Sequence, residues 1–215
     1  MENDGRVTIA FNTGGHRLEI PASAVERARQ DASDMMDDGE LKALAAVALA
    51  FPWQPSAFVV EIGSYAGTTA AFVAETLVEA GHGTRVLSID PFERVKRTLN
   101  NPSGKYRRYQ KTMRARGLEN RCLPLVGYSQ DAADVVGDRI GVLIVDGNHE
   151  FASVERDLAL FAPKVLPGGF IFLDDFTPTY PGVIRATEEF LESSPDYELI
   201  HRSYYAILQR TGGGS

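Results

Sequence analysis

Cysteine is almost absent from this chain. Cys122 is the only one in 215 residues, so no intrachain disulfide can form and a cysteine-based metal centre is excluded. No run of about 18 apolar residues occurs, the length a helix needs to cross a bilayer, so no membrane span is expected. The opening Met-Glu-Asn-Asp-Gly-Arg lacks the basic-then-apolar pattern of a secretory leader. Together these lacks point to a reducing, cytoplasmic setting. Positive charge is also scarce: 22 Lys and Arg face 29 Asp and Glu, for a net charge of −7. That balance argues against general affinity for nucleic acid. Repeats are missing, and the one biased segment is the terminal Thr-Gly-Gly-Gly-Ser, read as a flexible tail at 211–215.

What is present is one domain's worth of chain with a sizeable core. Its organising stretch runs Phe58-Val59-Val60-Glu61-Ile62-Gly63-Ser64-Tyr65-Ala66-Gly67-Thr68-Thr69-Ala70-Ala71. Phe58–Ile62 reads as a strand covered on both faces. Gly63 and Gly67 bracket a turn, and the Ala-rich run from Thr68 reads as a helix. Such strand–turn–helix units offer free backbone N–H groups at the mouth of a sheet. The glycine spacing is G-x-x-x-G, not the G-x-G-x-x-G of dinucleotide binders. Glu61 would repel a pyrophosphate but suits a cationic ligand.

Before this stretch, Arg6 to Pro21 reads as a hairpin turning at Asn12-Thr13-Gly14-Gly15. Helices follow from Ala22 to Met36 and from Glu40 to Phe51, with Asp37-Asp38-Gly39 as a break. Residues 1–56 are thus an extension, expected to cover the active site or to form a contact between copies of a homodimer or higher homo-oligomer. From Ala57 to Arg210 strands and helices alternate, which argues for a parallel, doubly wound sheet. Strands are expected at Arg85–Ile89, Cys122–Val126, Ile140–Val145 and Phe170–Leu173. Helices are expected at Gln130–Val136, Glu150–Ala162 and from Pro181 to Leu191. Tyr197–Arg202 and Tyr204–Gln209 close as an antiparallel pair. A basic region from Arg94 to Arg116 is broken at Asn100–Gly104 by a candidate lid loop. It reads as a solvated face, or as a reader of phosphate, carboxylate or RNA.

The strand ends carry acids: Glu61, Asp90, Asp146, and Asp174 with Asp175. In a doubly wound sheet such ends converge on one edge. Crowded like charges are unfavourable unless something positive neutralises them. Asp90 stands where nucleotide-binding folds grip ribose hydroxyls. Asp146, Asp174 and Asp175 are hard oxygen donors of the kind Mg²⁺ takes. His149 lies three residues past Asp146 and has the right basicity for a general base.

With these residues in view, the chain resembles the class I S-adenosylmethionine (SAM)-dependent methyltransferases. The resemblance rests on E-x-G-x-x-x-G, on Ile144-Val145-Asp146-Gly147-Asn148-His149-Glu150-Phe151, on Leu166-Pro167-Gly168-Gly169 and on Asp174-Asp175-Phe176. More narrowly, it is similar to metal-dependent bacterial O-methyltransferases of macrolide sugars and to catechol O-methyltransferases. It implies a Rossmann-like α/β fold, with a mostly parallel seven-stranded sheet ending in an antiparallel strand pair. It implies SAM held by Glu61, Gly63, Ser64, Tyr65, Gly67 and Thr68, its ribose by Asp90 beside Pro91, and its adenine near Ser129 and Gln130. Asp146 borders the donor and, with Asp174 and Asp175, would hold Mg²⁺; His149 and Asp146 would be catalytic. The sugar-modifying relatives can carry Glu at the Asp174 position, and the catechol-type ones Asn at that of Asp175. The implied reaction is methyl transfer to a hydroxyl of a small molecule, a sugar or other natural-product intermediate. A non-catalytic SAM- or nucleotide-binding module, another chemistry on the same fold, or an RNA substrate are the alternatives.

Overall fold

The computed structural model describes residues 5–33, 35–92 and 103–212. Nine strands and seven α-helices are found among them. The hairpin is β1 (Arg6–Ala10) and β2 (Arg17–Pro21), followed by α1 (Ala22–Asp31) and α2 (Asp38–Ala50). The α/β part follows as β3 (Phe58–Ile62), α3 (Thr68–Glu79), β4 (Val86–Asp90), α4 (Ser103–Arg116), β5 (Cys122–Val126), α5 (Ser129–Ala132) and β6 (Ile140–Val145). It ends with α6 (Phe151–Phe161), β7 (Val165–Leu173), α7 (Pro181–Ser193), β8 (Tyr197–Arg202) and β9 (Ala206–Arg210).

The large sheet has seven strands in the order β5-β4-β3-β6-β7-β9-β8. The first five are parallel, and β9 runs antiparallel to both β7 and β8. The chain travels outward from β3 to β5, then returns to β6 beside β3. This reversal opens a crevice at the carboxyl ends of β3 and β6, where such sheets bind ligands.

Strand residues alternate between two cores. Val59, Val142, Ile144, Phe172 and Ile207 face the layer made by α1, α2, α3 and the hairpin. Val60, Leu143, Val145, Leu173 and Leu208 face α5, α6 and α7. Every residue of β6 is buried, as an apolar run in a doubly covered sheet must be. Residues 11–51 therefore share one core with the sheet. The hairpin tip docks on the edge strand β8: the Asn12 side chain accepts from Arg202 N at 2.9 Å and donates to Arg202 O at 2.6 Å.

Three element boundaries differ from the sequence expectation. The first helix stops at Asp31, where Ala32 turns extended and Ser33 bridges to Met36. Asp37-Asp38-Gly39 starts α2 instead of breaking a helix. Asp37 accepts from Gly39 N at 2.7 Å and Glu40 N at 2.9 Å, and Glu40 accepts from Asp37 N at 2.7 Å. This reciprocal capping box satisfies donors that a helix start leaves unpaired. Strand β7 begins at Val165, its register against β6 shifting between Ile140 and Val142 to absorb Leu166–Gly169. The segment Arg94–Pro102, including most of the expected lid loop, lies outside the described residues; Ser103 and Gly104 open α4.

Candidate active site

The four acid-bearing strand ends stand side by side, because β4, β3, β6 and β7 are neighbours in the sheet. Their carboxyls nevertheless do different things.

Glu61 lies under the glycine turn and is 1% exposed. It accepts from the hydroxyls of Ser64 and, at 3.1 Å, Ser88. Burial pushes its pKa up to about 7, with the Ser64 and Ser88 hydrogen bonds opposing the rise and the Asp90 charge adding to it. The folded state thus holds this proton more tightly than the unfolded chain does. Stability from Glu61 is fully present below its unfolded pKa of 4.5 and is lost as pH rises through 7. Urea unfolding of Glu61→Gln and the parent at several pH values should expose this. The parent should lose about 3 kcal/mol relative to the variant across that window. Parallel pH profiles would show that Glu61 is ionised throughout.

Asp90 holds the turn in place. Its Oδ2 accepts from Ser64 N at 2.9 Å and Tyr65 N at 2.8 Å, and its Oδ1 accepts from Phe92 N. Carboxylate oxygens can each accept more than one hydrogen bond, so capacity for a ribose hydroxyl remains. Pro91 follows, half-buried. Gly63 sits against β6: its φ is +88°, and a Cβ there would lie 2.0 Å from the Asp146 carbonyl oxygen. Gly67, at φ +76°, precedes Thr68 and caps α3 without a side-chain hydrogen bond. Of the first N–H groups of α3, that of Ala70 faces the Glu61 carboxyl, which leaves those of Thr68 and Thr69 for a ligand. Ser129 and Gln130 engage α6: Ser129 donates to the buried Asp157, and Gln130 accepts from Arg156.

At the next two strand ends, Asp146, His149 and Asp175 offer ligand atoms all within 4.8 Å of one another. His149 replaces Asp174 in this close group relative to the sequence expectation. The Asp174 carboxyl stands instead beside those of Asp146 and Glu40, whose pKa values it raises, and accepts from Asp175 N at 2.8 Å. Asp175 takes a φ of +54°, which turns its side chain away from that of Asp174 and toward His149. His149 Nε2 is 3.0 Å from Asp175 Oδ2 yet is a buried atom that completes no hydrogen bond. Its ring packs on Tyr180, with centroids 4.4 Å apart.

Burial, then the neighbouring charges of Asp174, Glu61 and Asp175, drives the Asp146 pKa well above the usual range. Burial and Asp174 also raise Asp175, while His149 opposes this. Glu40, 6% exposed, is pushed up to about 9 by burial and by Asp174. Ionising these carboxyls together is unfavourable, and a bound cation would favour it.

Glu40 and Tyr180 escaped the sequence reading. The Asp37-x-x-Glu40 spacing marks a capping box, a visible signal for where α2 starts. Nothing local indicates that α2 delivers Glu40 to the end of β7.

A family model described as "Methyltransferase domain" matches residues 60–176, more than half of the chain. The chain belongs to the methyltransferase-domain family. It is a SAM-dependent methyltransferase, and the matched span holds the glycine turn and every acid just described except Glu40. No curated protein sequence matches this methyltransferase. Among solved structures, the O-methyltransferase NovP is similar at a TM-score of 0.66 and 18% identity, over 82% of this chain and 81% of NovP. CalS11, a calicheamicin methyltransferase, matches at 0.57 and 14% identity, over 97% of this chain and 98% of its own. A protein described as an rRNA methylase from Clostridium thermocellum matches at 0.60 and 12%, over 80% of this chain and 96% of its own. At these identities the likeness concerns the fold. Among the described residues no helix is long and apolar enough to cross a membrane.

Proposed function

We propose that this methyltransferase methylates a hydroxyl of a small molecule, a sugar or other natural-product intermediate, with a divalent cation, Mg²⁺ by its donor chemistry, at the strand ends. The observation that carries the reading is the close group of Asp146, His149 and Asp175, in which the buried His149 Nε2 lies 3.0 Å from Asp175 Oδ2 without completing a hydrogen bond. Two neighbours support the substrate class by their descriptions: NovP as an O-methyltransferase, CalS11 as a TDP-rhamnose 3'-O-methyltransferase.

The residues fit such an ion. Asp146 and Asp175 present oxygen donors and Asp174 lies beside them, a set suited to a hard cation. When bound, the ion would favour the ionised form of a hydroxyl placed against it. The chain's own residues do the rest. The turn at Gly63–Gly67 and the carboxylate of Asp90 place the donor; Asp146, beside Gly63, borders both ligands. In this reading His149 takes the hydroxyl proton, with Tyr180 packed on the ring and Asp175 placed to stabilise the imidazolium that forms.

The test measures release of S-adenosylhomocysteine from SAM over a panel of vicinal diols and sugars with Mg²⁺. His149→Ala should lower kcat on the order of a hundredfold and flatten the pH–rate profile near neutrality. A lowered affinity for Mn²⁺ with an unchanged profile would make His149 a ligand and not the base. We further propose that the hairpin joins copies of the chain, since β1 pairs only with β2 among the described residues. Light scattering should then report a dimer or larger, and a monomer would refute this.

A further inference from the structure

The basic run leaves a helix whose charge is balanced at one end only. Helix α4 carries Lys105, Arg107, Arg108, Lys111, Arg114 and Arg116 and no acid. Near its C-terminus, Arg116 pairs with Asp31 and, at 3.0 Å, with Glu75, and Arg114 reaches Glu119 at 4.0 Å. Among the described residues, none of the other four has a carboxylate within 4.0 Å. Lys105, Arg107 and Arg108 lie in the N-terminal half, and Lys105 in the first turn, where the helix dipole disfavours cations. The helix dipole therefore gives no reason for Lys105, the nearest of them to the helix start.

Two of the four converge on the glycine turn. Arg108 Nη1 donates to the Tyr65 hydroxyl at 2.7 Å, and its Cζ lies 5.9 Å from the ring centroid. Lys105 Nζ lies 5.4 Å from the same centroid. Tyr65 hangs on the turn that Asp90 clamps and that Gly63 presses against Asp146. An anion lodged between Lys105 and Arg108 would thus stand at the rim of the site that holds the reacting groups.

We propose that Lys105, Arg108 and the Tyr65 hydroxyl bind a phosphoryl group of the methyl acceptor. This rests on the small-molecule methyl-transfer reading and narrows it: the acceptor is a phosphorylated hydroxylated compound, of the kind a nucleoside diphosphate sugar represents. A guanidinium fork matches phosphate oxygens, and the ammonium adds a second point charge. Two cations on one tyrosine suit an anion of charge near −2 better than a single carboxylate. The carboxylate of the methyl donor has the Thr68 and Thr69 N–H groups at the start of α3 available.

Calorimetry of the protein saturated with S-adenosylhomocysteine, titrated with thymidine diphosphate and pyrophosphate at low salt, tests this. Both probes should bind, and added salt should weaken them. The double variant Lys105→Gln/Arg108→Gln should bind them at least about tenfold more weakly. Its affinity for S-adenosylhomocysteine and its melting temperature should match the parent's. Arg114→Gln, on the same helix, should leave diphosphate binding unchanged. Absent binding by the parent, or equal binding by the double variant, would overturn the proposal. So would a parallel loss of S-adenosylhomocysteine affinity, which would assign the pair to the donor's carboxylate. Tighter binding of an RNA hairpin than of either diphosphate would overturn it in favour of RNA. Failure of the parent to bind S-adenosylhomocysteine would instead strike the methyl-transfer reading itself.

Discussion

Asp146→Ala should cut turnover on the order of a thousandfold, and EDTA should do the same to the parent enzyme. Asp146 belongs to the close group with His149 and Asp175 and also contacts Asp174. In the proposed reaction, removing it takes away a carboxylate on which both the ion and the placing of the other acids would depend. A Lewis acid is worth several kcal/mol to a developing alkoxide, and each 1.36 kcal/mol is about tenfold in rate. Most S-adenosylhomocysteine affinity should survive, because the Gly63–Gly67 turn and Asp90 remain. Calorimetry reads affinity, and Mg²⁺ added after EDTA should restore the rate in the parent but not in the variant. Full activity in EDTA would remove the ion from the reaction. Loss of cofactor binding in step with turnover would make Asp146 chiefly a donor-binding residue.

Gly63→Ala should destabilise the fold by about 3–5 kcal/mol and abolish cofactor binding. The residue sits at φ +88°, and its new Cβ would meet the Asp146 carbonyl oxygen at 2.0 Å, its carbon at 2.6 Å and Gly147 Cα at 2.8 Å. All three are backbone atoms, so relief requires β3 and β6 to part where Asp146 is positioned. Gly81→Ala is the control. Its φ is +83°, but nothing lies within 4 Å of the added atom, so only the left-handed backbone is penalised, at about 1–2 kcal/mol. Urea unfolding of both variants separates the two causes. Equal losses would mean that β6 accommodates the extra atom and that the close approach at Gly63 has no structural cost.

The order of strands and helices after Ala57 was legible because its signals are local. A buried strand such as Ile140–Val145 is a short apolar run, and Pro181 marks a helix start. The acids at the strand ends were legible for the same reason, since a doubly wound sheet sends those ends to one edge. Side-chain direction was less so. Glu61 looked like a ligand for a cation in the mouth, yet alternation along β3 puts it inside, against Ser64 and Ser88. Asp174 and Asp175 looked equivalent, yet the left-handed backbone at Asp175 separates their carboxyls. Asp37-Asp38-Gly39 resembled a break because its composition is turn-like, and the reciprocal hydrogen bonds with Glu40 outweighed that composition.

By itself the sequence determined the α/β alternation, the glycine turn and the row of strand-end carboxylates, since each follows from residue type and spacing within one element. Only the tertiary structure decided that α2 brings Glu40 to Asp174, that His149 faces Asp146 and Asp175, and that Lys105 and Arg108 lean on Tyr65. Apart from His149 and Asp146, which are neighbours in the chain, those juxtapositions join residues 26 to 134 positions apart or turn on a single backbone angle, and neither long-range packing nor that angle leaves a periodic mark on the chain.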